Sequence, residues 1–230
     1  TKSVAKNMQT SNGLFWTTPI SNLAHDTTQI ESAKRIALRD PNVEGTPIIA
    51  IQDIDAIEEL NKEQISTITK IIYGTTDSNH PGAATFMSLG NKVISGPIQV
   101  LNYSYFRNEF AGTFRTATEI RNEISERGWS TVVGFQTRNP MHLALEDLCN
   151  MAQQATHADG VLIHMLLGKL KPGDIPAPVR DNAIRKMVEL YFPPNTVMIT
   201  CYGFDMLYAG PREAVLHAIF RQNCGCSHLI

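Results

Sequence analysis

The second half of the sequence alternates between continuous apolar runs and amphipathic stretches, and this alternation constrains the fold more than any other feature. We predict strands over 131–135, 160–167, 196–201 and 227–230, and helices over 116–127, 141–155, 179–192 and 211–223. Apolar strands that alternate with amphipathic helices are typical of a parallel sheet with helices on both faces. The sequence therefore predicts an α/β domain over residues 106–230.

The first hundred residues follow a different pattern, with short segments of β-branched and aromatic residues broken by glycine and proline. Strands are predicted within 14–16, 47–52 and 92–102. One helix is predicted over 55–72, where isoleucines recur near helical spacing, and a loop is predicted over 74–82. Residues 1–105 are therefore expected to form a small β-rich domain.

Both predicted domains are expected to be incomplete. The chain opens without a Met in polar sequence, and it ends on the apolar run Ser227–Ile230. Chain termini usually lie at the surface of a domain, so an end inside an apolar strand indicates that sequence is missing.

Composition excludes several function classes. The 230 residues carry a formal net charge of -2, which gives no electrostatic basis for binding nucleic acid or an anionic membrane. No apolar run reaches the length of a membrane span, so a cytoplasmic protein is expected. The four cysteines are predicted to be reduced, because only Cys224 and Cys226 lie close together and four ligands are needed for a zinc site.

Polar residues that suit an oxyanion follow the first predicted strand of the α/β domain. In open α/β sheets, ligands bind outside the carboxyl ends of the strands, where the sequence places Gln136, Thr137, Arg138 and Asn139. Pro140 suits the first turn of a helix, and a helix N-terminus favours phosphate or sulfate. Arg138 offers a forked donor, and His142 is expected one turn into the helix.

A structural interpretation competes with this one. The polar residues could simply cap the helix while Arg138 pairs with a nearby carboxylate. The sequence contains neither the glycine-lysine loop of P-loop proteins nor Gly-x-Gly-x-x-Gly, so kinase and dinucleotide-binding interpretations lack their main support.

The segment Val132–His142 resembles the signature of the ATP sulfurylase family. The resemblance covers essentially the whole chain. Further segments similar to family sequences are 39–41 (RDP), 95–97 (SGP), 164–174 (HMLLGKLKPGD) and 208–214 (YAGPREA), with His217.

This resemblance implies a PUA-like β domain followed by a Rossmann-like nucleotidylyltransferase domain. It also implies the reversible reaction of ATP with sulfate to give adenosine 5′-phosphosulfate and diphosphate, in sulfate activation or sulfur oxidation. Mg²⁺ would be carried on the ATP phosphates without dedicated protein ligands, and the full-length protein would be a homo-oligomer. The resemblance also implies roles for single residues. Sulfate would be bound by Gln136 and Arg138, and the catalytic residues would be Thr137, Arg138 and Asn139. ATP would be contacted by Gln136–Asn139, and its phosphates would accept a hydrogen bond from His142.

Two departures from the family pattern bear on activity. The family has a second imidazole three residues after the first, where this chain has Leu145. The family also continues beyond the segment that matches residues 226–230 into a Gly-Arg-Asp-His-Ala-Gly loop that contacts both substrates. This chain alone is therefore expected to be inactive. The alternatives are a catalytically impaired nucleotide-binding homologue and a nucleotidylyltransferase with another acceptor.

Several other polar residues receive predictions from their positions. His164 is predicted to be a hydrogen-bonded core residue. Arg212 lies at a helix start, where the helix dipole disfavours a cation unless an anion compensates, and the sequence leaves a site role for it open. Residues predicted to be structural or solvated are His228, Cys224, Cys226, Lys169, Lys171 and Asp174.

Overall fold

The computed structural model describes residues 2–103, 105–167 and 173–230. Contacts between backbone segments divide the chain into two compact units. The first contains Thr1–Tyr105 and Leu207–Leu216, and the second contains Phe106–Met206 and His217–Ile230. The domain division expected from the sequence, 1–105 and 106–230, places residues 207–216 with the later part of the chain.

The first unit contains two small antiparallel sheets with helices between their strands. In chain order its elements up to residue 105 are α1 (Lys2–Asn7), β1 (Asn22–Ala24), a 3₁₀ turn (Thr28–Ile30), β2 (Arg35–Arg39), β3 (Ile48–Asp53), β4 (Ala56–Glu59), α2 (Lys62–Tyr73), α3 (Pro81–Ser88), β5 (Lys92–Ser95) and β6 (Ile98–Val100). One sheet has the order β1-β5-β4 and the other has the order β2-β3-β6. Buried residues of α1, α2, α3 and β5 share one apolar cluster.

The helix predicted over 55–72 is wrong in its first part. Residues 56–59 form β4, which pairs antiparallel with β5, and the helix begins only at Lys62. The Asn61 side chain accepts a hydrogen bond from the Gln64 N–H, and the Gln64 side chain accepts one from the Asn61 N–H. This capping box starts the helix there, while pairing with a strand distant in sequence decides the residues before it.

Two more local predictions in the first unit need correction. The loop predicted to end at Gly82 ends at His80, because α3 begins at Pro81. His80 is the N-cap of this helix, and its ring accepts a hydrogen bond from the Ala83 N–H. The strand predicted over 14–16 is reduced to a single bridge between Phe15 and Gln9.

The second unit is a parallel sheet with helices on both faces, which confirms the predicted α/β fold. Its elements are α4 (Phe106–Glu109), α5 (Ala117–Glu126), β7 (Val132–Thr137), α6 (Leu143–Thr156), β8 (Gly160–Leu166), α7 (Ala177–Tyr191), β9 (Val197–Tyr202), the end of α8 (Pro211–Asn223) and β10 (His228–Leu229). The strand order is β10-β7-β8-β9, with parallel pairing throughout.

Separate apolar clusters cover the two faces of this sheet. One contains side chains of β8 with residues of α6 and α7, such as Cys149 and Ile184. The other contains Ile120 and Ile124 of α5 and the cysteines that follow α8. Because every residue of β8 is buried, this strand is the centre of the sheet, and its continuous apolar sequence has a direct physical explanation.

No helix in the described part of the chain is both long and apolar enough to cross a lipid bilayer.

Candidate functional site

The predicted site residues lie where the strand order of the parallel sheet reverses. β7 is the first strand of the sheet in the chain, and its neighbours are β8, which follows it, and β10, which is the last. Crevices outside the carboxyl ends of strands at such a reversal are the usual ligand sites of open α/β sheets. Gln136 and Thr137 are the last two residues of β7, and Arg138 and Asn139 follow at that edge.

The β7 strand extends two residues further than the sequence predicted. Gln136 and Thr137 pair in parallel register with His164 and Met165 of β8, so they belong to the sheet and not to the turn. Backbone hydrogen bonds to β8 hold Gln136 and Thr137 in the sheet. The sequence pattern of β7 alone does not show this pairing.

Thr137 shapes the turn that follows β7. Its side chain is buried, and its Oγ1 accepts a hydrogen bond from the Asn139 N–H at 3.0 Å and donates one to the Asn139 carbonyl at 3.0 Å. Such a local side-chain bond stabilises a tight turn. The Thr137 hydroxyl therefore holds the backbone of the turn in this structure.

The polar side chains around the turn are at least partly accessible to a ligand. Gln136 and Arg138 are half-buried, whereas Asn139 and His142 are exposed. Within the described residues, no side chain pairs with the Arg138 guanidinium, and no ion pair involves it. The competing interpretation required a carboxylate partner for Arg138 and helix capping by its neighbours. In the described part of the chain, none of the ion pairs joins Arg138 to a carboxylate. The N-cap of α6 is His142, whose side chain makes no capping hydrogen bond.

The start of α6 differs from the prediction. Pro140 and Met141 precede the helix, and His142 is an extended N-cap with φ -138° and ψ 171°. His142 is therefore at the helix boundary rather than one turn inside, and Pro140 is not in the first turn. The chain bends at Arg138 and Asn139, and Pro140 disfavours a helical conformation at Asn139, so the helix begins only after these residues. The helix N-terminus consequently lies beyond Arg138 along the chain.

Leu145 takes part in the apolar core. It lies in the first turn of α6, is half-buried, and packs against the cluster that contains Met141, Cys149 and Met165. An isobutyl group is suited to that contact, which gives a packing reason for leucine where the family has a second imidazole.

Arg180, which the sequence did not predict as a site residue, contacts the turn after β7 from within the protein. Arg180 lies in the first turn of α7 and is fully buried. Its Nη1 donates to the Leu166 carbonyl at 2.6 Å and to the Arg138 carbonyl at 3.2 Å. Burial lowers the pKa of Arg180, and the negative charge of Asp174 opposes that shift. The signal in the sequence is a cation in the first turn of the helix predicted over 179–192, where the helix dipole disfavours it.

His164 lies in the core, as predicted, but the predicted hydrogen bond is not found, because neither ring nitrogen has a hydrogen-bond partner among the described residues. Only 2% of its surface is exposed, and its ring centroid is 4.3 Å from that of Tyr202. The guanidinium carbon of Arg221 lies 4.4 Å from the centre of the same tyrosine ring. Burial lowers the pKa of His164 well below its usual value, and the nearby charge of Arg221 lowers it further.

The other predicted residues are structural or lie outside the described residues. In the first unit, Arg212 Nη1 donates to the Thr17 carbonyl at 3.0 Å, and Thr17 Oγ1 donates to the Arg212 carbonyl at 2.7 Å. Lys169 and Lys171 fall outside the described residues. All four cysteines are buried and free of disulfides. Across the described ranges, no three His, Cys, Asp or Glu side chains form a group that could hold a metal.

Two family models match the chain. The model described as ATP-sulfurylase matches residues 112–230, and the model described as a PUA-like domain matches residues 1–103. Among curated proteins, the sulfate adenylyltransferase of Alcanivorax borkumensis is 67% identical over 99% of this chain. The sulfate adenylyltransferase of Allochromatium vinosum is 62% identical over the same share. The chain spans 57% of the length of each.

A solved structure shares the fold. It is described as a hexameric APS kinase from Thiobacillus denitrificans and superposes on 99% of this chain and 40% of its own, with a TM-score of 0.68. The sequence identity is 21%, so this similarity concerns the fold alone.

Proposed function

Because the chain belongs to the ATP sulfurylase family, we propose that the protein of which it forms part is a sulfate adenylyltransferase. The reaction joins ATP and sulfate to give adenosine 5′-phosphosulfate and diphosphate, and it is reversible. The observation that carries the proposal is the Arg138 guanidinium, which has no ion-pair partner among the described residues and lies at the strand-order reversal, where open α/β sheets bind ligands.

The chemistry requires positioning and charge stabilisation rather than a covalent intermediate. A sulfate oxygen attacks the α-phosphorus of ATP, a new phosphorus–oxygen bond forms, and the bond from the α-phosphorus to the bridging oxygen of diphosphate breaks. Sulfate is already ionised at neutral pH, so no general base is needed. Donors that are held in place before the reaction stabilise the charge that develops on the phosphoryl oxygens.

The residues at the edge of β7 have different roles in this reaction. Gln136 and Arg138 bind the sulfate, and Arg138 with Asn139 stabilises the charge of the transition state. Thr137 contributes by fixing the turn through its two hydrogen bonds to Asn139. His142 donates to the phosphates from the N-cap of α6. The fork of Arg138 suits a tetrahedral oxyanion better than a single ammonium would.

Mg²⁺ belongs to this reaction as the partner of the ATP phosphates. The side chains of Gln136, Arg138, Asn139 and His142 are amides, a guanidinium and an imidazole. None of them is a carboxylate, so the group suits phosphate or sulfate oxygens better than Mg²⁺. The proposal also includes a cytoplasmic protein that forms a homo-oligomer at full length.

The first prediction concerns Arg138. In the protein completed to the length of its relatives, Arg138→Ala should reduce ATP formation from adenosine 5′-phosphosulfate and diphosphate by about 10²- to 10³-fold, because one donor to the transition-state oxyanion is lost. Luminescent detection of ATP measures this rate.

Arg35→Ala is the control, since Arg35 is an exposed arginine of the first unit that pairs with Asp53. Its rate should match that of the wild type. Unchanged turnover in Arg138→Ala would remove the role assigned to Arg138. AMP transfer to another acceptor in preference to sulfate would indicate a different nucleotidylyltransferase.

A further inference from the structure

Arg180 occupies a position that is unfavourable for an arginine. It is fully buried, whereas arginine is almost never fully buried unless it is paired. It also lies in the first turn of α7, where the helix dipole repels a cation. Its Nε and Nη2 have no hydrogen-bond partner within the described ranges. A buried arginine in this position destabilises the fold unless other contacts compensate for it.

Part of the compensation comes from the negative charge of Asp174, and part comes from hydrogen bonds to two carbonyl groups at the ligand edge of the sheet. Arg180 Nη1 donates to the carbonyl of Leu166, the last residue of β8, and to the carbonyl of Arg138, the first residue after β7. Hydrogen bonds from a charged donor are stronger than neutral ones. One guanidinium group therefore joins the ends of two neighbouring strands at the turn that carries Arg138.

The turn is consequently held from two sides. The Thr137 hydroxyl is hydrogen-bonded to the N–H and the carbonyl of Asn139. Arg180 donates a hydrogen bond to the carbonyl of Arg138, the residue between Thr137 and Asn139. A peptide held by both contacts has little freedom to rotate, so the backbone from which the Arg138 side chain projects is fixed before a ligand arrives.

We propose that Arg180 is a positioning residue, which acts on sulfate and ATP phosphates through Arg138 by fixing the peptide that links Arg138 to Asn139. This inference rests on the proposed function for its ligand, but the restraint on the turn is a property of the ligand-free chain. Arg180 touches no reacting atom in this assignment, and its effect passes through the backbone of the turn.

The test compares Arg180→Met and Arg180→Lys with Lys186→Met, in which an exposed cation of the same helix, paired with Glu189, is removed. Amide hydrogen exchange is measured by NMR on the ligand-free chain. Exchange at the Asn139 N–H should accelerate on the order of tenfold or more in Arg180→Met, because a hydrogen bond from a charged group to the turn is lost. Arg180→Lys should show a smaller acceleration, since an ammonium keeps the charge but lacks the fork. Lys186→Met should match the wild type.

The second measurement is the binding of adenosine 5′-phosphosulfate to the protein completed to the length of its relatives, followed by titration calorimetry. Kd should rise in the order wild type, Arg180→Lys, Arg180→Met, in parallel with exchange at Asn139. If the wild-type protein of that length does not bind this ligand, the proposed function loses support, whereas the exchange data still decide the role of Arg180.

Two results would overturn the inference. One is unchanged exchange at Asn139 in both Arg180 variants. The other is an equal acceleration at Asn139 and at amides of the central strand such as Ile163, which would make Arg180 an ordinary core residue. If Arg180→Met does not fold, Arg180→Lys decides between the same outcomes.

Discussion

At the scale of single residues, His164 is an imidazole that the fold keeps away from water. Its pKa is lowered well below the usual value, first by burial and then by the charge of Arg221. The folded protein therefore binds a proton at His164 less readily than the unfolded chain does. Between the lowered pKa and the ordinary value near 6.5, the unfolded state carries more protons, so stability falls as the pH falls.

We predict that His164→Phe reduces this sensitivity to acid. Phenylalanine keeps an aromatic ring beside Tyr202 but cannot bind a proton, so a loss of up to about 1.4 kcal/mol per pH unit below pH 6.5 should disappear. The free energy of unfolding, measured in urea at several pH values, checks this. His157→Asn is the control, because His157 is exposed and its φ of 51° is one that asparagine accepts. An identical pH profile for wild type and His164→Phe would contradict the prediction.

Also at this scale, the sequence predicted that Gln136, Thr137, Arg138, Asn139 and His142 share one edge of the sheet, but it did not point to Arg180. The first five are contiguous in sequence or nearly so, and a strand followed by polar residues predicts their shared edge. Arg180 lies 42 residues from Arg138 along the chain. Its contact depends on how α7 packs on the sheet, which local sequence does not encode.

At the scale of elements, α5 shows a helix whose start is determined by local sequence. The Thr116 hydroxyl accepts from the Glu119 N–H, and the Glu119 carboxylate accepts from the Thr116 N–H at 2.7 Å. Hydrogen bonds to the Glu119 carboxylate from the Thr116 N–H, the Thr116 hydroxyl and Arg107 lower the pKa of Glu119 to about 2. The sequence prediction for this helix, 116–127, differs from the observed Ala117–Glu126 by one residue at each end.

We predict that Thr116→Ala destabilises the chain by about 1 kcal/mol, because the N-cap hydroxyl is lost. Thr118→Ala removes the same group from an exposed position inside the helix and should leave stability nearly unchanged. Urea unfolding followed by circular dichroism compares the two. Equal effects of the two substitutions would show that the cap contributes nothing specific.

Short elements agree less well with the sequence prediction. Residues 56–59 have an isoleucine at helical spacing with those of α2, yet they form a strand because β5 offers hydrogen-bond partners. Tertiary pairing overrides local propensity most easily in segments of this length, since few intrinsic preferences add up over four residues.

At the scale of the whole molecule, all four cysteines lie in the second unit and are buried. Burial is the main cause that raises the pKa of Cys149, Cys201 and Cys226 to about 12, and it also raises the pKa of Cys224. The thiolate is the reactive form, so at pH 8 only about one in 10⁴ of these three groups is reactive even before access is considered.

We predict that the native chain does not react with Ellman's reagent at pH 8 on a timescale of minutes, and that four thiols react after denaturation. Ser78→Cys supplies an exposed control thiol on the first unit, which should react at once. Rapid labelling of any natural cysteine in the native chain would contradict the buried packing of the second unit.

The sequence by itself determined the α/β class of the second unit, the order of its strands and helices, and the strand-to-turn segment with the signature. Periodicity and motif spacing carry this information because long apolar strands and amphipathic helices have few alternative ways to bury their surface. Tertiary structure decided the strand order β10-β7-β8-β9, the extension of β7 to Thr137, the start of α6 at Leu143, and the burial of Arg180 beneath the turn. Each of these depends on hydrogen bonds or packing between segments far apart in the chain, whose partners exist only once the sheet has formed.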